Sequence, residues 1–532
     1  MTPIRPAVRH DGVLPEDRHA FAIQSRYPVR NSGSGYMHVH QANDREATGA
    51  LESLFEEVLL LRNAVAEARH AWDETGGAQG PAEGSLRNLS HYLALRRHDL
   101  RPLQRRLMWR GLSSLGRLES RVLPTLDAVL AALAAMAGRE SAVAAPSEDA
   151  FFAGERRLRA ATDVLFGPAP AKRRGRIMVT LPDTAADDPG LILDLARRGM
   201  DTARINCAHD DADAWRAMTR HIRAAEAATG RGLKILMDIA GPKVRTEAVF
   251  PEKAKVKPGD AIRLIASGVP AGTADVPFCV AVSLPAIVER VQVGDRFRCD
   301  DGKMSGRVES VAPGEAVIRI DQTRTGGTKL KPEKGINLPD TDLELSPLTA
   351  KDDGDLAAVI ECADMIGYSF VSRPHDIDLL EDALRRHVET PRRLGVVAKI
   401  EQPRAVKNLP ALIARVAASG RPFGVMIARG DLAAEIGFER LAEMQEEILW
   451  ICEAASVPTI WATQVLEDLV KKGIPSRGEM TDAAMAARAE CVMLNKGPSV
   501  GEAVSLLDGM LARMDAHMFK KTPTLRALKS WD

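Results

Sequence analysis

From Arg176 onward, apolar residues fall into short β-branched runs separated by longer stretches in which they recur every three or four positions. This is the alternation of buried strands with amphipathic helices. It predicts strands at 176–181, 202–206, 234–238, 364–369, 396–399, 424–428, 458–462 and 491–494. Helices are predicted between them at about 190–199, 211–229, 351–362, 376–388, 403–419, 436–456, 479–489 and 501–517. Eight parallel strands, each followed by a helix, make a closed α/β barrel of the (β/α)8, or TIM, type.

One stretch breaks the rhythm. Residues 247–340, between the third and fourth strands, are rich in Val, Gly, Pro and Asp, as in AKVKPGDAIRLI and VQVGDRFRCDDG. That composition predicts short antiparallel strands and turns, a small β-barrel domain inserted in a barrel loop, where it can act as a lid. Upstream, ESLFEEVLLLRNAVAEARHAW at 52–72 and the run 85–138 carry helical stripes, and a further helix at 149–165 leads into a linker bearing Pro168, Pro170 and Lys172 to Arg174. The expected organisation is a disordered tail at 1–45, an all-helical N-terminal domain at 46–168, a barrel built from 169–246 and 341–532, and the inserted lid at 247–340.

Composition narrows the partners. Lys+Arg and Asp+Glu both number 72, so there is no bulk attraction to nucleic acid or an anionic membrane, and a small molecule is the expected partner. The arginines at 96, 97, 101, 105, 106, 110, 117 and 121 read as solvated faces of packed helices. Six cysteines, at 207, 279, 299, 362, 452 and 491, form no CxxC pair, which argues against disulfides and structural zinc and fits a reducing compartment. The most apolar run, Leu126 to Ala137, is too short to span a bilayer, and no charged-then-apolar signal opens the chain, so a cytoplasmic location is expected.

In a barrel of this type chemistry gathers at the C-terminal ends of the strands. Strand two ends ARINCAH (Arg204, Asn206, His209), strand three MDIAGPKVRT (Asp238, Lys243, Arg245) and strand five AKIE (Lys399, Glu401). Strand six ends ARGD (Arg429, Asp431) and strand seven ATQ (Thr463, Gln464). Each residue alone is explained as readily by barrel packing; their shared rim favours chemistry. Two carboxylates beside a lysine are what a hard divalent cation and an anionic substrate require.

Taken in series, these motifs resemble the pyruvate kinase family over Arg176 to about Phe519. DDGK at 300–303 and KGINLP at 334–339 resemble its lid, and ARGDLAAEI, ATQVLEDL and PSRGEMTD its later signatures. The resemblance implies phosphoryl transfer from phosphoenolpyruvate to ADP, giving pyruvate and ATP. It implies Glu401 and Asp431 as ligands of Mg2+ (or Mn2+), Lys399 as the charge that stabilises the moving phosphoryl and the enolate, and Arg204 on the phosphate. It further implies the amides around Gly430 and Asp431 on the substrate carboxylate, Thr463 organising the enolate's proton, Asn206, His209 and Arg245 facing the nucleotide, and Asp301 approaching from the lid. The implied partners are these two substrates, without nucleic acid or membrane, in a homo-oligomer.

Departures from the family pattern carry their own expectations. Most members bind K+ through an Asn, a Ser, an Asp and a Thr carbonyl, with a Glu nearby; here Asn206 and Asp238 remain while Ala208, Ile239 and Lys243 replace the others. The Lys243 ammonium, partnered by Asp238, is expected to replace the monovalent ion, so that K+ is not required. The loop after strand eight reads Asn495-Lys496-Gly497-Pro498-Ser499-Val500-Gly501 in place of SGETAKG, Leu181-Pro182-Asp183 stands where a Gly-Pro pair is usual, and Ala240 replaces a lysine. A changed phosphoryl acceptor therefore stays open. With the sequence ending soon after the eighth barrel helix, no response to fructose bisphosphate through a C-terminal domain is expected. Two other classes compete: a carbon–carbon lyase or aldolase of the phosphoenolpyruvate/pyruvate barrel group, sharing the Glu and Asp metal pair, and a degenerate scaffold acting through its N-terminal helices.

Overall fold

The computed structural model describes the backbone of residues 36–69, 81–388 and 394–524 and, except at 36–48 and 81, their side chains. The chain falls into two compact units that divide between Ser53 and Leu54. Of the first, the helical backbone from Tyr36 is described, as the start of helix Tyr36–Ala66; the rest of the expected tail lies outside the described residues. All that follows concerns the second.

Eight parallel strands close on themselves: Arg176–Thr180, Thr202–Asn206, Lys234–Asp238, Met365–Tyr368, Gly395–Ile400, Phe423–Ala428, Thr459–Ala462 and Cys491–Leu494. Each pairs with its sequence neighbour and the eighth with the first, so the expected (β/α)8 barrel is present. Their near-continuous burial explains why they read as apolar runs: helices cover the outside and side chains fill the inside. The helix predicted at 436–456 is Phe438–Ala454, and a separate helix, Arg429–Ile436, precedes it, the two parted by Gly437 at φ 91°, a conformation other residues avoid. The one predicted at 479–489 is Arg477–Ala486, preceded by a separate turn of helix at Glu467–Lys472.

The barrel floor is stoppered by the N-terminal region. Leu165 and Phe166, ending helix Ala153–Phe166, pack with Met178, Leu236, Met365, Val397, Met426, Ile460 and Met493. They enter at the N-terminal ends of the strands, against Gly395 and Gly424, the first and second residues of strands five and six. The opposite rim, where the strands end, holds a cavity. Asn88 ties the helical region to the barrel, donating to the carbonyls of Glu119 (2.7 Å) and Ala454 (2.8 Å) while accepting from the Val122 amide (3.0 Å). Several arginines expected on solvated faces are engaged: Arg106 pairs with Glu57, Arg121 with Glu155, and Arg96 stacks on Trp450. Among the described residues no helix is long and apolar enough to cross a membrane.

The inserted segment forms a seven-stranded sheet in the order Ile336–Asn337, Arg296–Cys299, Met304–Ala312, Glu315–Thr323, Ala261–Ile265, Phe278–Val282, Thr246–Phe250. It is not wholly antiparallel as expected, since Ala261–Ile265 and Phe278–Val282 run parallel. The segments leading into its two edge strands meet at the root of the insertion, where Arg245 bridges Gly335 and the Thr246 amide donates to the Lys334 carbonyl at 2.8 Å.

Candidate active site

The C-terminal strand ends converge on a cavity of about 140 Å3 lined by Arg204, Asn206, Lys243, Arg245, Lys399, Glu401, Asp431 and Thr463. Lys399, at the end of strand five, is the hub. Its ammonium lies 3.0 Å from Glu401 Oε1 and 3.3 Å from Asp238 Oδ1, and it donates to Ser369 Oγ at 2.7 Å. Burial works against its charge, but Asp238 and Glu401 outweigh that cost and hold its pKa above the ordinary lysine value.

Asp238, 1% exposed, lies beneath the cavity. It accepts Arg204 Nε at 2.9 Å as well as Nη2, and Arg204 Nη1 donates to Thr180 Oγ1 at 3.1 Å. Burial raises its carboxyl, yet Lys399 and Arg204 together draw it below the usual carboxylate range. Glu401, 2% exposed, shifts the other way. Burial and the nearby Asp431 push it up more strongly than Lys399 pulls it down. Its Oε2 accepts the Phe370 amide at 2.6 Å, fixing Phe370 at φ 57°, in the left-handed region that side chains seldom adopt.

Lys243 is not where the sequence places it. Its Nζ lies 2.7 Å from Asp431 Oδ1, whereas Asp238, its expected partner, is satisfied by Arg204 and Lys399. The reason is topological: Lys243 leaves the barrel at the root of the inserted domain and faces helix Arg429–Ile436. The loop before it is clamped by Asp352, whose Oδ1 accepts the amides of Ala240 (2.9 Å) and Gly241 (3.3 Å). Gly241 stands at φ 65°, and a Cβ there would meet Phe370 Cδ2 at 2.8 Å.

Thr463 stands at φ 65° after strand seven, and its Oγ1 accepts the Gly430 amide at 3.0 Å. That amide, expected to meet a substrate carboxylate, is thus already engaged. Arg429 is a strut: it pairs with Asp482, donates to the Ala462 and Thr463 carbonyls at 3.0 and 2.6 Å, and covers Trp461. Asn206 and Arg245 line the cavity, while His209 is exposed and outside its lining. Asp301, in the inserted domain, is held at φ 56° with Lys303 4.0 Å away. Lys496 pairs with Asp183, joining the altered loops after strands eight and one.

Sequence reasoning missed Ser369 and Phe370, which carry no charge; the polar Ser at the end of the apolar run MIGY was the available signal. It also missed Arg298, Asn337 and Glu435, through which the insertion touches helix Arg429–Ile436.

A divalent cation suits this cavity. Among the described residues no three or more His, Cys, Asp or Glu side chains cluster to form a metal cage, and Glu401 and Asp431 supply two carboxylates. Mg2+ is commonly held by one or two carboxylates, with substrate and water completing its shell.

A family model described as the pyruvate kinase barrel domain matches residues 172–503. A pyruvate kinase of Mycobacterium tuberculosis strain H37Rv is 33% identical over 334 residues, 62% of this chain and 67% of the relative. One of Agrobacterium vitis is 32% identical over 371 residues, 67% of this chain and 72% of the relative. Among solved structures, a pyruvate kinase from Cryptosporidium parvum superposes with a TM-score of 0.58 at 25% identity, covering 67% of this chain and 73% of that one. Family model, relatives and barrel agree: the chain belongs to the pyruvate kinase family, which makes it a phosphotransferase.

Proposed function

We propose that this protein transfers the phosphoryl group of phosphoenolpyruvate to ADP, forming pyruvate and ATP, with Mg2+ (or Mn2+) and without K+. The observation that carries the reading is Lys399, a charged lysine 12% exposed, held between Asp238 and Glu401 in the cavity at the C-terminal rim of the barrel. Mg2+ bound by Glu401 and Asp431 would supply Lewis-acid stabilisation of the charge that develops on the substrate. Lys399 keeps its proton throughout and sets a fixed positive charge beside the phosphorus–oxygen bond that breaks and the enolate oxygen left behind. Arg204, oriented by Asp238 and Thr180, presents its planar fork to the phosphate. Thr463 positions a water that protonates the enolate carbon, since a free hydroxyl is too weak an acid alone. Asn206 and Arg245 face the nucleotide phosphates, with His209 at the outer rim and Asp301 on the lid.

Independence from K+ is supported differently from the sequence argument. Asp238 already carries two protein cations, Ala208 offers no side-chain oxygen to a monovalent ion, and the Ile239 carbonyl already accepts Ser369 Oγ at 2.7 Å. The rate in KCl should equal that in a tetramethylammonium salt of the same ionic strength; a tenfold rise with KCl would refute this. A cytoplasmic homo-oligomer completes the proposal, with light scattering as the test of assembly.

The deciding assay is pyruvate formation from phosphoenolpyruvate and Mg2+ with ADP, with other nucleoside diphosphates and with none, alongside Lys399→Met. Product that requires a diphosphate and Lys399 supports the proposal. Product from hydroxy-keto acids without nucleotide would select the lyase instead, and no product at all the scaffold.

A further inference from the structure

The inserted domain and its root reach helix Arg429–Ile436 at three points. Arg298 Nη1 donates to the carbonyls of Ala433 (2.9 Å) and Ala434 (2.8 Å), at the helix C-terminal end where cations are favoured. Asn337 Nδ2 donates to Glu435 Oε1 at 2.9 Å. The third contact is the ion pair of Lys243 with Asp431 at 2.7 Å, at the root of the insertion.

The three contacts differ in what else can compete for them. Helix carbonyls and Glu435 have no other cation proposed for them, but Asp431 is one of the two carboxylates assigned to the divalent ion. An ammonium 2.7 Å from Oδ1 and a divalent ion on the same small carboxylate would lie within a few ångströms of each other and repel, so each weakens the other's hold on Asp431. The pair's side chains are 24% and 19% exposed, so the exchange can proceed through solvent without unfolding.

We infer that Lys243 is a positioning residue, the built-in counter-cation of Asp431, tying the lid's root to the metal-binding helix and letting go when a divalent ion is bound. The inference rests on the metal reading given above and extends it: the root of the lid senses whether the metal site is loaded. It also gives the Lys243 position a purpose different from monovalent-ion replacement at Asp238. Released, the ammonium remains beside the cavity that Lys243 lines, where the next anion to enter is the phosphorylated substrate.

The test uses the full chain and Mn2+ without substrates. Mn2+ binding is read from the loss of the free-ion electron paramagnetic resonance signal. In parallel, limited acetylation at Lys243 is followed by mass spectrometry, with the exposed Lys257 as internal reference. Acetylation of Lys243 should rise about fivefold with Mn2+, the scale of a partly exposed ion pair, and saturate with binding. Asp431→Asn should show the high rate with or without metal. Lys243→Gln should bind Mn2+ about fivefold more tightly than the wild type. Mn2+ binding with unchanged acetylation at Lys243 would overturn this inference and leave the metal assignment standing. No Mn2+ binding by either wild type or Lys243→Gln would overturn both. Binding by Lys243→Gln alone would uphold the metal assignment and overturn the inferred release, since the wild-type ammonium would then not yield to the ion.

Discussion

The Lys399 ammonium lies 3.3 Å from Asp238 Oδ1 while Arg204 Nε holds Oδ2 at 2.9 Å, so one buried carboxylate carries two cations of the candidate site. Asp238→Asn removes that carboxylate and leaves two cations facing each other in a poorly hydrated floor. The loss should be about 3–5 kcal/mol, as for breaking a buried pair, measurable as a lowered urea midpoint at pH 7. Because the folded Asp238 pKa is depressed, its stabilisation is complete above the ordinary value of about 3.9 and fades as pH falls through the lower folded value. The gap between wild type and variant should therefore close only below about pH 4.

Thr463 fixes the first turn of helix Arg429–Ile436 through its hydroxyl on the Gly430 amide. Thr463→Val keeps the β-branched shape but leaves that amide without a partner and removes the hydroxyl from the cavity. The expected result is a fall in kcat of about 10- to 100-fold from loss of the hydroxyl at the enolate, together with about 1–3 kcal/mol of lost stability from the unpartnered amide. Thr463→Ser should restore most of the rate. A fully active valine variant would remove Thr463 from the proton-delivery role.

The barrel strands were legible in the sequence because strands buried on both faces need continuous β-branched and apolar runs, which ordinary helices here lack. The Lys399, Glu401 and Asp431 cluster was legible because charge at the end of such a run has few other uses. The partner of Lys243 was not. Asp238 and Asp431 are both carboxylates of the same rim, and choosing between them requires knowing where the chain turns into the insertion. The Arg298 contact with Ala433 spans 135 residues and ends on backbone carbonyls, so no side-chain pattern announces it. Gly437 lies inside a helical stripe, and only its φ reveals the break between two helices.

Glu435, held by Asn337 of the insertion, is pushed up to about 7 by burial, against the pull of that hydrogen bond. A raised carboxyl favours the fold most when protonated, so its contribution is full below the unfolded value of about 4.3 and is lost as pH rises through about 7. Glu435→Gln keeps an acceptor for Asn337 and has no such titration. Relative to this variant, the wild type should lose about 1 kcal/mol of unfolding free energy between pH 5 and 8, a figure reduced for the partial exposure of the residue. A constant difference across that range would show that the carboxyl is not raised.

The barrel floor offers a test of how the N-terminal helices are joined to the barrel. A Cβ on Gly424 would sit 2.5 Å from Leu165 Cδ2, far inside van der Waals contact, and one on Gly395 2.7 Å from Leu165 Cδ1. Two glycines at strand starts thus make room for one leucine from helix Ala153–Phe166. Leu165→Ala should cost about 2–5 kcal/mol by opening a cavity, and Gly424→Ala about 1–3 kcal/mol by overpacking. If the leucine is what the new methyl strikes, the double variant should be more stable than the sum of the two losses by about 1 kcal/mol or more, since contacting sites couple. Denaturant melts of the four proteins provide the cycle. Strict additivity would mean that Leu165 does not occupy the floor, whereas the expected coupling would show the N-terminal helix acting as the stopper beneath the barrel.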